Sequence, residues 1–386
     1  MFKSIILMAA IVLSGLFMIQ GCADEKTGQQ STETPDNSPA TAIERSGGGS
    51  QPGDWLRNGR AVGSQIDEEA AMAFLFDVYD RKEKIATWHP AEDSAVILYL
   101  FQKENISTLI TKTAFSAHYE DQGHPHFFLI MQTETSFDSC HACTVVLGGA
   151  IFHEIDGLWR LKTLNLAIGS AGCNGKAPAN MSVVKVGPDL HAVVVRDGGI
   201  AQGMYQENYF LMGPVGDRLE MIFFLRDVRG ENEGDCDSKL NNAGTGHECY
   251  AYDAAIHFIQ GDDAEYYDLD VVIEGTKYNN DFSVSPFKNR VLYHFNGCRY
   301  TKGAGPGFSR DKPYFIQLGA FEKYRSADAL LEKLSEAGYS AYCVFHKPDN
   351  ANSFFRVRIG NYSTSREAYY ILRSVQKLGF DGFVSK

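Results

Sequence analysis

The 386-residue chain has no surplus of basic residues: 36 Lys and Arg stand against 48 Asp and Glu, a net charge of −12. Nucleic-acid binders meet phosphate with a basic excess, so no nucleic-acid partner is expected. The longest apolar run, Ile5 to Ile19, falls short of the roughly 20 residues that span a bilayer core, which excludes a polytopic membrane protein. Eight cysteines are too sparse for a small disulfide scaffold. There is no Gly-rich loop with a Walker lysine, no Gly-x-Ser-x-Gly elbow and no His-Glu-x-x-His helix. The 11 histidines are scattered, and the tightest pair, His124-Pro125-His126, reads as a polar loop. No cofactor, no metal and no catalytic residue is therefore expected.

What is abundant points to strands. Hydrophobic residues make up 44% of the chain, which is ordinary globular composition. With 25 Phe, 19 Tyr and 37 Gly, the sequence favours short strands and tight turns. The length suits two or three domains.

The N-terminus reads as a leader. Lys3 precedes the apolar run, which is about 22 Å long as a helix and ends in Ile19-Gln20-Gly21-Cys22. This resembles a bacterial lipobox, apart from Gln20 where a small residue is usual. The resemblance implies a signal peptide over 1–21 and lipidation at Cys22, with acyl chains as a membrane anchor. Ala23 follows the cysteine, where the inner-membrane retention signal has Asp. The implied address is the outer membrane, facing the periplasm. Residues 22–53 are rich in Gly, Ser, Thr, Gln, Pro and Asp and read as a lipidated flexible tether.

Residues 54–302 read as one large antiparallel β domain, sandwich-like, with an N-terminal helix. Apolar residues at helical spacing between Asp67 and Lys84, with acids at its start, predict the helix. Short apolar runs then predict strands at 95–101, 126–131, 145–147, 150–152, 159–164, 191–195, 209–212, 221–225, 254–259, 267–273 and 291–295. Asp156-Gly157 and Asn296-Gly297 signal hairpin turns, whose central residues favour positive φ.

Cys140-His141-Ala142-Cys143 admits a disulfide, a metal site or a redox pair; an oxidising compartment and loop-then-strand flanks favour the disulfide. With the Leu147-Gly148-Gly149 run that follows, it resembles uncharacterised bacterial periplasmic proteins, which carry no activity to transfer. Cys236 and Cys249 bracket a polar stretch and suit a second disulfide. Cys173 and Cys298 remain, a pairing that no local feature supports, and Cys343, in an apolar run, reads as a buried thiol.

After a Gly-rich linker at 303–311, residues 312–386 show strand, helix, strand, strand, helix, strand. Phe315-Ile316-Gln317-Leu318-Gly319-Ala320-Phe321 and Phe355-Arg356-Val357-Arg358-Ile359-Gly360 resemble the two core motifs of the SPOR (sporulation-related repeat) family, with Ile359 in place of Val. The resemblance implies an α+β, RNP-like βαββαβ fold. It also implies binding to peptidoglycan glycan strands stripped of stem peptides, as accumulate at division septa. Alternation puts Ile316, Leu318, Ala320, Val357 and Ile359 towards the helices. Phe315, Gln317, Gly319, Phe354, Arg356 and Arg358 then share the open face, as candidate glycan-binding residues. Rings suit sugar C–H faces, and amide and guanidinium donors suit hydroxyls and acetamides. The segment carries about four more basic than acidic groups, against the acidic remainder.

The expected protein is thus a wall-binding outer-membrane lipoprotein involved in cell division, with envelope or divisome proteins as possible partners. The alternative is a wall-targeted enzyme whose active site lies in the β domain.

Overall fold

The computed structural model describes residues 60–90, 96, 108–134, 143–201, 203–232, 236, 248–260, 265–279, 283–302, 312–347 and 353–386. Cys22, Cys140, the strand expected at 95–101 apart from Val96, and the linker at 303–311 lie outside them.

The first sheet has seven antiparallel strands: β1 (Ala61–Gly63), β2 (Tyr79–Asp80), β3 (Ile85–Trp88), β4 (Leu109–Asp121), β5 (His124–Glu134), β6 (Val145–Ile155) and β7 (Leu158–Ala171). Their spatial order is β1-β7-β6-β5-β4-β3-β2. The second is an eight-stranded meander: β8 (Asn180–Gly187), β9 (Leu190–Ala201), β10 (Met204–Val215), β11 (Arg218–Glu231), β12 (Ala251–Ile259), β13 (Asp268–Tyr278), β14 (Val284–Phe295) and β15 (Tyr300–Lys302). The sheets pack face to face. Phe128, Ile130, Leu147 and Ile151 of the first meet Val193, Val195, Phe210, Met212 and Leu219 of the second. Burying each such side chain contributes roughly 1.5–3 kcal/mol. The expected sandwich is present.

Helix α1 (Glu68–Leu75) covers the outer face of the first sheet, setting Met72 and Leu75 against Leu129, Met131 and Phe152. Asp67 caps it, its side chain accepting from the Ala70 amide at 2.7 Å. The helix is shorter than the spacing to Lys84 suggested. At Phe76 the backbone turns extended, and β2 and β3 form a hairpin whose approach puts Lys84 at φ 56°. Phe76 is buried and Val78 is 63% exposed, the reverse of what a continued helix would require.

Asp156 and Gly157 adopt positive φ as expected. Asn296-Gly297 differs. Only Gly297 has positive φ, and the connection to β15 is held by the Asn296 side chain, which accepts from the amides of Cys298 and Arg299 at 3.1 and 2.9 Å. His124 and His126 open β5 rather than lying in a loop, and His126 is buried.

The C-terminal unit is β16 (Tyr314–Phe321), α2 (Tyr324–Glu336), β17 (Ala341–His346), β18 (Phe354–Tyr362), α3 (Ser365–Lys377) and β19 (Phe383–Ser385), with sheet order β17-β18-β16-β19. This is the expected RNP-like arrangement. Ala327, Leu331 and Leu334 of α2 and Ala368, Leu372 and Val375 of α3 close over Ile316, Phe355, Val357 and Ile359. Their cluster continues into Leu211, Ile222 and Phe223 of the second sheet, so the unit is docked on the sandwich.

Polar contacts fix that docking. Arg299 pairs with Asp328 at 2.9 Å and Lys347 with Asp217 at 3.1 Å. The Arg325 guanidinium donates to the Ala167 carbonyl at 3.2 Å, and the Cys343 amide to the Asn296 carbonyl at 2.6 Å. A Cβ at Gly297 would sit 1.8 Å from the Cys343 carbonyl oxygen, so only glycine admits edge strand β17 there. This approach overturns the reading of Cys343 as a free thiol: Cys343 is bonded to Cys298, 45 residues away in sequence. Cys298 therefore does not pair with Cys173; Cys143 and Cys173 each take part in a disulfide. The expected Cys236–Cys249 disulfide is present.

Candidate functional site

The face of the C-terminal sheet away from the helices gathers most of the residues singled out by alternation. Along β18, Phe355, Val357 and Ile359 are buried under the helices, while Phe354, Arg356 and Arg358 alternate with them, half-buried. Cross-strand register sets Arg358 opposite Tyr342 of β17 on one side and Gln317 of β16 on the other, with Phe383 of β19 beyond Gln317. One row thus crosses all four strands: Tyr342, Arg358, Gln317, Phe383. Phe315 adds a second ring, with the Arg358 guanidinium 3.9 Å from its centroid.

That stack decides the state of Arg358. Burial pulls its pKa below the usual guanidinium value, and a hydrogen bond with Tyr342 opposes the shift. The group stays charged at neutral pH, because arginine starts so far above it. Stacking on Phe315 holds the guanidinium plane, and the Tyr342 hydroxyl donates onward to Asn361 Oδ1 at 3.3 Å. A donor fixed in this way loses little rotamer freedom when a ligand arrives. The four strands of this sheet contain no Asp or Glu. The face therefore offers cationic and amide donors beside rings, with no carboxylate pair of the kind that cleaves glycosidic bonds.

Gly319 is not on this face. A bulge between Gln317 and Gly319 shifts the register, so Gly319 lies opposite inward-facing Val357 and Ala320 lies opposite Arg356. A Cβ at Gly319 would lie 2.4 Å from the Phe321 ring and 3.3 Å from Leu330 of α2, on the helical side. Simple alternation fails there because one extra residue reverses the faces that follow it. Tyr342, in an apolar strand that reads as core, is only 1% exposed and backs Arg358 from below the surface. Phe383 is the residue that alternation did not single out; at 56% exposure it is one of the most accessible large apolar side chains described.

In the β domain, two adjoining hollows of about 720 and 480 Å³ flank α1 and share Asp67 and His118. Several of their polar groups are already engaged. Ser116 donates to Glu68 at 2.8 Å, Arg81 pairs with Glu69, and Lys112 pairs with Glu134 at 2.6 Å. His118 packs against Phe127 and Trp159, with centroids 4.8 and 5.7 Å away, and does not bridge serine to carboxylate. Among the described residues no three His, Cys, Asp or Glu side chains are placed to hold a metal ion. None of the described helices is long and apolar enough to cross a membrane.

No curated protein matches the chain, and no solved structure does. Residues 311–386 match the family model described as SPOR domain. The unit whose sheet carries Arg358 and Gln317 is a SPOR domain, and through it the chain bears a peptidoglycan-binding module.

Proposed function

We propose that this protein is an outer-membrane lipoprotein, anchored through Cys22, that holds its β domain against the wall by taking glycan strands stripped of stem peptides on the SPOR sheet, at division septa. The observation that carries the binding reading is Arg358, stacked on Phe315, beside Gln317 and the exposed Phe383 on a sheet whose strands carry no Asp or Glu. A sugar strand stacks its C–H faces on rings and takes hydrogen bonds from the fixed guanidinium and the amide. Stem peptides branching from the strand would obstruct its approach to the sheet. The anchor reading is supported by Lys3, the apolar run and Ile19-Gln20-Gly21-Cys22. Anchor and wall-binding face in one chain raise the effective concentration of the second contact once the first is made.

The test is co-sedimentation of the chain without its first 22 residues, which keeps every described residue. It pellets with amidase-treated sacculi and poorly with sacculi bearing intact stems. Equal binding to both would remove the preference for stripped strands, and binding to neither would remove the wall reading.

A further inference from the structure

Helix α3 has a second face. At 100° per residue, Arg366, Tyr370, Arg373 and Lys377 fall within an arc of about 60°. That arc lies opposite the buried residues Ala368, Leu372 and Val375. All four are exposed with the SPOR domain docked, Tyr370 at 73%, and they are flanked by Tyr369 and Leu378, each at 55%. Among the described residues none of the three cations joins an ion pair. Glu367, the one acid on α3, is turned to the helix start, where its Oε2 accepts from the Ser363 amide at 3.3 Å. Residues 312–386 hold 11 Lys and Arg against 7 Asp and Glu, in a chain of net charge −12.

We infer that this ridge lies on an anionic phospholipid surface. Three unpaired cations with two tyrosines and a leucine at one helix surface match the chemistry of a membrane interface, where amphipathic rings sit at headgroup level and cations meet anionic headgroups. The position agrees. α3 packs on the sheet face opposite the one that carries Arg358, so a strand on the sheet cannot also reach Tyr370. Wall and membrane lie on opposite sides of a periplasmic protein, and the domain offers one face to each. The inference deepens the anchor reading proposed above, since the tethered lipid at Cys22 would bring the ridge to the bilayer. It also gives the SPOR domain an orientation, sheet towards the wall and α3 towards the membrane.

The test uses the chain without its first 22 residues, so that no acyl chain contributes. It sediments with phosphatidylcholine vesicles containing about one-third phosphatidylglycerol and not with phosphatidylcholine alone, and high salt releases it. The triple variant Arg366→Glu/Arg373→Glu/Lys377→Glu loses vesicle affinity on the order of 100-fold or more, at about fivefold per cation. It still pellets with amidase-treated sacculi, and Gln317→Ala shows the converse pattern. Vesicle binding that survives the triple change, or a parent chain that ignores anionic vesicles, overturns the inference while leaving the wall reading intact. If the triple variant instead loses binding to amidase-treated sacculi, the ridge belongs to the wall-binding surface and the membrane assignment is wrong.

Discussion

Arg358 and Ile316 lie one position apart in cross-strand register, yet they serve opposite sides of one sheet. Arg358 stands on the open face with Gln317, while Ile316 is fully buried under the helices. Arg358→Ala or Gln317→Ala is expected to weaken binding to stripped glycan by about 1–3 kcal/mol each, as donors to the sugar are lost. Stability changes little, because neither side chain belongs to the core beneath the helices. Ile316→Ala is expected to do the reverse and lower stability by about 2–5 kcal/mol through a cavity. Denaturant midpoints read beside pelleting assays separate the two effects. Full glycan binding by folded Arg358→Ala and Gln317→Ala would move the ligand to another face.

Glu220 makes a second residue-scale case. It is buried where β11 meets β7 and α2, and Asn165 donates to its Oε2 at 3.2 Å. Burial lifts its pKa from 4.5 to about 7, the nearby Arg218 and Arg325 pull it down, and Asp328 pushes it up. A carboxyl whose folded pKa exceeds its unfolded value favours the folded state most when protonated. Its contribution is therefore present below about pH 4.5, is lost as pH rises towards 7, and is gone above that. The difference is about 3 kcal/mol between pH 4 and pH 8. Glu220→Gln is expected to flatten that part of the stability profile, measured as the denaturant midpoint at the two pH values. An unchanged slope would mean that Glu220 is ionised throughout.

At the scale of elements, legibility followed the strength of the period. The strands of β5, β9 and β10 were readable from their apolar runs, because sheets buried on both faces collect consecutive Val, Ile, Leu and Phe. β4 was not, since Leu109–Asp121 interleaves Thr, Lys, Ser and His with small apolar residues and most of its side chains are only half-buried. The two runs around Gly148-Gly149 are a single strand, β6, whose glycines leave room for the backbone of Leu166 and the side chain of Leu219. Both SPOR helices were legible from their apolar stripes. Thr364 caps α3, its side chain accepting from the Glu367 amide at 3.2 Å. The bulge in β16 was not legible, because the sequence Gln317-Leu318-Gly319 alternates as well in either register. Of the candidate face, five of six residues alternated as expected, and the one displaced, Gly319, follows the bulge. Phe383 needed cross-strand register, which a strand's own sequence does not contain.

At the scale of the whole molecule, the sequence suggested a wall-binding unit on a linker, and the structure shows one clamped to its neighbour. No local spacing could announce the Cys298–Cys343 disulfide, since its partners lie on different domains and meet only through the Gly297 approach. Closing a loop of that length removes about 4 kcal/mol worth of freedom from the unfolded chain in the chain-entropy model. The clamp works with the Arg299–Asp328 and Lys347–Asp217 pairs and with Arg218, whose guanidinium lies 5.7 Å from the Phe355 ring centroid. Surface pairs of this kind contribute little alone, so the disulfide and the continuous apolar cluster carry the docking. Scanning calorimetry of the parent should therefore show the SPOR domain unfolding together with the β domain in one transition. In Cys298→Ser/Cys343→Ser the SPOR transition should separate and fall to lower temperature, because its remaining contacts resemble a transient interface. Binding to stripped glycan should persist, as Gln317, Arg358 and Phe383 stand on the face turned away from the helices. Two resolved transitions in the parent, or one unchanged transition in the double variant, would mean that the disulfide does not couple the domains. Loss of glycan binding in a folded double variant would instead make docking part of the recognition surface, with the β domain holding the strand alongside the sheet.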